Sequence, residues 1–298
     1  MRAADLPICS SVSLASGEPL HATASRFRRW LLLEQPGPWG HDALVDSRLP
    51  IGVGRALRDT GDRLGIRVLL IKRRERPSGP RRCYVGYTGA RERRVCSIDL
   101  DDPAEVLSLD LDALSARRFK GAGTEVDEPL FLVCTHGKHD QCCARHGAPL
   151  FRALEHLPSA WECTHIGGDR FAGNLVCLPH GLYFGRVSPA EAPRVAAGYA
   201  EGRIVLERYR GRSAFSPPVQ AAEQEARVRL RLDGVDDLVL TGHRALPGRR
   251  HLVDFDGPGG TRYRVEVRVF DLPPRRLTCK ARREGAPRGF EVAVQRVA

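Results

Sequence analysis

The chain has 298 residues, 42% of them hydrophobic and 28% charged, with nine cysteines and a formal net charge of +11. That length carries two domains or one large one, and the composition is that of an ordinary globular protein with a substantial core. The longest apolar runs, Trp30-Leu31-Leu32-Leu33 and Val68-Leu69-Leu70-Ile71, fall far short of the roughly 18 residues a membrane helix needs, and Met1-Arg2-Ala3-Ala4-Asp5 lacks the apolar stretch of a secretory signal; a cytoplasmic location is expected.

Residues 1–120 read as a mixed α/β region. Arg29–Glu34 is a predicted strand, followed by the turn-rich Gln35-Pro36-Gly37-Pro38-Trp39-Gly40. Leu49–Leu64 has helical spacing at Ile51, Leu57 and Leu64. Ile66–Lys72, Arg82–Tyr87 and Arg93–Leu100 are rich in β-branched and aromatic residues and read as strands, and a short helix is expected between Pro103 and Leu114.

Residues 121–215 have a clearer order. Pro129–Val133 is an apolar strand running into Cys134, and Asp140–Leu157 has helical spacing at Leu150, Leu154 and Leu157. Ala160–Thr164 is a short strand and Gly167–Asn174 a loop or brief helix. Leu175–Leu178 and Leu182–Val187 form a hairpin across Pro179-His180-Gly181. Ser188-Pro189-Ala190-Glu191 combines a capping serine, a first-turn proline and the glutamate of a capping box, which starts a helix running to about Tyr199. The order β-α-β-α-β-β-α is that of a thioredoxin fold. The strand order of the first 120 residues suggests the hypothesis of a degenerate second copy of it.

Residues 216–298 read as a small α+β appendage. A helix spans about Val219–Leu230, with strands at His251–Phe255, Tyr263–Phe270, Arg276–Lys280 and Phe290–Val297. Its single Cys279 is read as a small buried apolar residue.

The cysteines and histidines are unevenly placed. Cys134, Cys142, Cys143, Cys163 and Cys177 fall in about a sixth of the chain, with His136, His139, His146, His156, His165 and His180. Without a secretory signal a disulfide framework is not expected, so metal ligation or thiol chemistry explains the group better. Cys134 ends a strand, Cys143 opens a helix, and Cys163 and His165 end the next strand, so these groups can converge at one edge of such a sheet. A helix N-terminus favours anionic sulfur, an environment suited to thiolate ligands of iron. The chain has no C-x-x-C, no pair of zinc knuckles and no plant-type ferredoxin spacing. It also lacks a P-loop, G-x-S-x-G or H-E-x-x-H pattern, and no acidic pair stands out for glycoside hydrolysis. Cys177 sits mid-strand in an apolar run and reads as core. Cys142 reads as a neighbour of a ligand, His136, His139 and His146 as exposed or supporting groups, and the distant Cys9, Cys83 and Cys96 as structural.

Cys134-Thr135-His136-Gly137-Lys138 with Asp140 and Cys142-Cys143, followed by His165-Ile166-Gly167-Gly168-Asp169-Arg170-Phe171-Ala172-Gly173-Asn174, resembles the sucrase/ferredoxin-like family. Trp30 to Gly40 and Cys9-Ser10 look like its bacterial branch. The resemblance implies a thioredoxin-like ferredoxin domain with a [2Fe–2S] cluster; fungal actin-patch-distal members use two cysteines and two histidines in an H-x-x-x-H arrangement. Carried over by position, Cys134 and Cys143 match the cysteine pair and His165 the first histidine, while Asp169 stands where the second histidine falls. Cys163, two residues from His165, is the expected substitute. The expected ligands are therefore Cys134, Cys143, Cys163 and His165, with Asp169, Cys142 and Cys177 in reserve.

The function expected is that of a redox carrier rather than an enzyme, with a redox partner such as a flavin reductase. The alternative is a zinc-binding or thiol-based module without an electron-transfer role. Only four of the 47 basic residues are lysines, and arginine enrichment with alanine and glycine reflects a GC-rich coding sequence. The arginines are spread along the chain, so nucleic-acid binding is discounted, and a basic face that steers an acidic redox partner is preferred.

Overall fold

Two stretches of alternating strand and helix build one sheet. The computed structural model describes residues 7–74, 79–115 and 123–297. After a short helix α1 (Cys9–Ala15), the N-terminal half runs β1 (Arg29–Glu34), α2 (Ala43–Asp46), α3 (Ile51–Leu64), β2 (Ile66–Lys72), β3 (Arg81–Thr88), β4 (Arg93–Leu100), α4 (Leu111–Ser115) and β5 (Thr124–Glu125). The second half runs β6 (Leu130–Cys134), α5 (Gln141–Leu154), β7 (Ala160–Cys163), a 3-10 turn at Asp169–Phe171, β8 (Leu175–Leu178), β9 (Leu182–Phe184), α6 (Ala192–Ala200) and β10 (Tyr209–Arg212). Then come α7 (Pro217–Leu230) and an antiparallel meander of β11 (Val239–Leu246), β12 (Arg250–Asp256), β13 (Arg262–Asp271) and β14 (Arg288–Val297).

The ten strands of the main sheet lie in the order β10-β9-β8-β6-β7-β2-β1-β3-β4-β5. The second half is thioredoxin-like: β6 and β7 are parallel across α5, and β8 and β9 return antiparallel on the other side of β6. The first half repeats that arrangement, with β1 and β2 parallel across α3 and β3 and β4 antiparallel beyond β1. The halves meet edge to edge where β2 pairs antiparallel with β7, Ile71 opposite Cys163 and Lys72 opposite Glu162. Covering each edge strand with the other removes two open edges, the usual liability of such sheets.

Strand alternation then sorts the core. Phe131 and Val133 on β6 pack with Leu150 and Leu154 of α5 and Val195 of α6, whereas Leu31 and Leu33 on β1 pack with Val53 and Leu57 of α3. The opposite face carries Trp30, Leu32, Tyr84, Leu132, Cys134, Trp161, Cys163 and Tyr183 in one shared cluster. The sheet curls so that this face meets itself: the rings of Trp30 and Tyr183 lie 6.4 Å apart, and those of Tyr84 and Trp161 5.9 Å apart. Thr88 at the end of β3 and Ser213 just after β10, far apart in the strand order, hydrogen-bond at 3.0 Å.

Most expected elements are present within a few residues, and the differences have local causes. The helix expected from Ser188 begins at Ala192, although Glu191 does accept hydrogen bonds from the Ser188 N–H (3.1 Å) and hydroxyl (2.7 Å), closing a turn just ahead of it. Arg276–Lys280 is a bend and turn instead of a strand. Its Cys279 N–H donates to Asp140 at 2.7 Å instead of entering a ladder. The missing meander strand is β11, whose glycine and basic residues conceal its alternation. The short, arginine-bearing β10 was also not legible, because Arg210 and Arg212 are buried by partners elsewhere in the chain. No helix among the described residues is long and apolar enough to cross a membrane.

The β8–β9 turn carries a pH-dependent element. The His180 ring lies 2.7 Å from the Tyr199 hydroxyl through Nδ1, 4.0 Å from Asp236 through Nε2, and near Arg93 and Arg212. Burial, then the two guanidiniums, pull its pKa down to about 3. The unfolded chain takes up this proton near pH 6.5 and the folded chain does so only near 3, so this contribution is present above the unfolded value and lost as pH falls from 6.5 toward 3. Melting temperatures between pH 7 and 4 should fall in the native protein and fall less steeply in His180→Gln; parallel curves would contradict this.

Candidate metal centre

β6 ends at Cys134, and its backbone is fixed from both sides by neighbouring strands: Cys134 N–H donates to Asn174 at 3.1 Å and Thr135 N–H to Cys163 at 3.2 Å. The loop then enters α5 at Asp140, whose carboxylate caps the helix by accepting the Cys142 N–H at 2.9 Å. Cys142 and Cys143 follow in the first turn. Adjacent helical positions point about 100° apart, and the two thiols enter different surroundings, Cys143 facing the shared core and Cys142 facing α1.

Cys134 Sγ, Cys143 Sγ and a ring nitrogen of His165 lie within 4.8 Å of one another. Asp169 joins them: its Oδ1 is 3.3 Å from Cys143 Sγ and 3.0 Å from His165 Nδ1. The turn carrying His165 and Asp169 is clamped from below. Arg210, fully buried, donates to Gly167 O at 3.1 Å and Asn174 Oδ1 at 2.8 Å, and Asn174 donates to Gly168 O at 2.8 Å. Burial brings the Arg210 pKa down to about 10. Gly167 and Gly168 have φ of +93° and +80°, and a Cβ at Gly168 would stand 2.2 Å from Arg210 Nη2, so both backbone and space require glycine. Arg67 on β2 donates to His165 O, so the first half also positions this turn.

The thiol and imidazole groups interact strongly. A hydrogen bond from Cys143 holds the Cys134 pKa well below the ordinary cysteine value and outweighs burial, while the same contact and burial push Cys143 up. Burial opposes protonation of His165, but hydrogen bonds to Asp169 and Cys134 raise its pKa to about 9. The two thiols, the imidazole and the Asp169 carboxylate therefore form one hydrogen-bonded group. Thiols and imidazoles grouped in this way bind a metal ion with release of protons.

Of the expected ligands, three are brought together: Cys134, Cys143 and His165. Cys163 is fully buried beside Cys134 on the paired strand and lies outside that group. Asp169 lies against it. Cys177 packs on the opposite face among the helix-side residues. His139 is more intimately placed than its sequence position suggested, its ring stacked on that of His165 with centroids 3.8 Å apart. His136 is buried, with Nε2 2.8 Å from Gly40 O. His146 lies 3.1 Å from the Ser10 hydroxyl. The cysteines expected to be structural divide: Cys83 and Cys96 pack in the first half's core, whereas Cys9 lies against Cys142 and Cys279.

One glycine controls the approach of α5 to the centre. A Cβ at Gly147 would lie 2.0 Å from Cys134 O, a backbone atom that cannot swing away. Gly147→Ala is expected to destabilise the fold by roughly 1–3 kcal/mol through overpacking and to displace Cys134. Denaturant unfolding and metal content check this; an unchanged midpoint with full metal content would contradict it.

A thioredoxin-like α/β sheet with a thiol–imidazole group at the ends of its central strands defines the class of this protein. The family model described as Sucrase/ferredoxin-like matches residues 20–211, and the chain belongs to that family. It is similar to "Altered inheritance of mitochondria protein 32" of Eremothecium gossypii, 31% identical over 128 residues that make up 34% of this chain and 41% of the relative. The protein of the same name from Meyerozyma guilliermondii is 28% identical over 100 residues, 29% of this chain and 36% of the relative. The match thus spans about two fifths or less of these relatives. Both are fungal and lend no support to the bacterial branch expected from the sequence. Among solved structures, two variants of the thioredoxin-like [2Fe-2S] ferredoxin from Aquifex aeolicus are 17% and 16% identical with TM-scores of 0.24 and 0.25, covering 28% of this chain and 97% of theirs.

A [2Fe–2S] cluster fits these residues in kind. Two thiols supply soft ligands, and the imidazole and a carboxylate or third thiol supply the rest. The buried sulfurs are anchored on strand and helix, and the His165 side chain is 21% exposed.

Proposed function

We propose that this protein carries single electrons on a [2Fe–2S] cluster held by Cys134, Cys143 and His165, with Asp169 or Cys163 as the fourth ligand. The convergence of two thiols and an imidazole at the ends of β6 and β7 and the start of α5 carries this reading, and family membership supports it. When bound, the cluster supplies a site that accepts and releases one electron. The chain's own residues do the remaining work. Cys134 and Cys143 keep the sulfurs away from water, and the partly exposed His165 edge faces an incoming partner. Asp169 holds the His165 ring orientation through Nδ1, and Arg210 and Asn174 keep the turn rigid so that little reorganises. The cytoplasmic location expected from the sequence belongs to the same proposal. So does a redox partner such as a flavin reductase, with the net charge of +11 favouring an acidic docking face.

A second reading is a single zinc ion at the same place. The close grouping of the three donors, all within 4.8 Å of one another, favours it, because a single ion could be held by donors this near to each other. Visible absorption and metal content of anaerobically purified protein separate the two. Near two irons per chain with broad visible bands supports the electron carrier; a colourless protein with one zinc at these residues, even after iron–sulfur reconstitution, overturns it.

A further inference from the structure

The first turn of α5 has two sides, and the centre above uses only one. On the other side Cys142 meets two thiols from the ends of the chain. Cys142 Sγ is 3.5 Å from Cys9 Sγ on α1 and 3.4 Å from Cys279 Sγ in the bend after β13, and Cys9 and Cys279 are 3.5 Å apart. Both Asp140 carboxylate oxygens lie 4.0 Å from Cys9 Sγ, and the four residues form one compact group of donors.

Core packing does not account for this arrangement. Three sulfurs at nearly equal separations cannot all pair as disulfides, since a disulfide joins two at about 2.05 Å and leaves the third alone. Asp140 and Cys9 are almost wholly buried, and the carboxylate that caps α5 also faces the Cys9 thiol with both oxygens. The backbone ties the four residues together. Cys9 N–H donates to Cys279 Sγ at 3.4 Å, and Asp140 fixes the other two cysteines by accepting the N–H groups of Cys142 (2.9 Å) and Cys279 (2.7 Å). An ion with metal–sulfur bonds of about 2.3 Å would sit about 1 Å above the plane of such a triangle, on the side a fourth donor must close.

We propose that Cys9, Cys142 and Cys279, closed by Asp140, form a second metal site that holds a structural zinc ion, distinct from the Cys134–Cys143–His165 centre. Three thiolates with a hard fourth donor suit zinc, which needs no open position here. The site would join three segments, α1, the start of α5 and the bend of the C-terminal meander, which polar contacts such as Ser10 with His146 and Lys280 with Lys138 O already hold near one another. Because Cys142 and Cys143 are adjacent, the ion also fixes the helix start that presents Cys143 to the neighbouring centre. Sequence spacing conceals the site, since its outer ligands stand 270 residues apart.

The test uses the full chain, expressed with zinc and iron supplied, and counts both metals with the visible spectrum. The expected result is one zinc per chain in the native protein and in Cys143→Ser, and its loss in Cys279→Ser and Cys9→Ser. A zinc count unchanged in Cys279→Ser and Cys9→Ser, or no zinc in the native protein, overturns the site. Should both serine variants fail to fold, cobalt substitution of the native chain replaces them. Tetrahedral cobalt bands with sulfur charge-transfer intensity for three thiolates are expected, and bands showing one thiolate or none overturn the proposal. The visible iron bands are read separately; should the main centre hold zinc instead of iron, the native count is two, Cys143→Ser keeps one, and the loss of one zinc in Cys279→Ser and Cys9→Ser still reports the second site.

Discussion

Cys143→Ser is expected to abolish metal binding at the main centre, with complete loss of any visible absorption and little loss of folded protein. The thiol stands at the start of α5, within reach of Cys134, His165 and Asp169, and a serine hydroxyl is a far poorer ligand for iron or zinc than a thiolate. The helix itself stays capped by Asp140, so the change should act on the site and not on the fold. The same experiment ranks the fourth ligand. Asp169 touches both Cys143 and His165, so Asp169→Ala should weaken metal retention on the order of 10- to 100-fold even if the carboxylate only orients the imidazole. Cys163 stands outside the group, so Cys163→Ala should retain the metal. Loss in Cys163→Ala with retention in Asp169→Ala would instead make Cys163 the ligand.

The largest stability effect is expected at Glu223. It lies fully buried on α7, 2.9 Å from Arg212 Nε, 3.1 Å from Arg227 Nη2 and 2.9 Å from the Tyr209 hydroxyl. Burial raises its pKa, but the two guanidiniums win and hold it below the ordinary carboxylate range. Glu223→Ala leaves two buried cations without a counter-charge, which in comparable sites costs about 3–5 kcal/mol. The network joins α7 to β10, the outer strand of the main sheet, so the C-terminal unit should loosen first. Guanidinium unfolding checks this. A loss under about 1 kcal/mol would show that the arginines find other partners, because that is the size of an exposed pair.

The order of elements from β6 to α6 was legible because each strand is a short apolar run and each turn carries glycine or proline. The Cys134-to-Cys143 stretch and His165–Asp169 were legible as chemistry because they fall at strand ends and a helix start. What the sequence did not reveal depends on distant partners. Arg210 and Arg212 read as surface charge and are buried, one by Asn174 and backbone carbonyls, the other by Glu223. Cys279 read as an isolated apolar residue and meets Cys9 and Cys142. Arg276–Lys280 alternates like a strand, but Asp140 draws its backbone into a turn. The repeated strand order of the two halves is visible in the element order alone. At the corresponding end of β1 stand Glu34 and Gln35, so only the second half has the thiols for a centre.

Reductive titration of the anaerobically purified chain, followed by visible absorption and electron paramagnetic resonance, tests the electron-carrier account most directly. The account predicts bleaching by one electron per two irons, a paramagnetic signal in the reduced state, full recovery on reoxidation, and loss of all three in Cys143→Ser. A chain that holds no iron after reconstitution, or holds it without taking up an electron reversibly, would contradict the account.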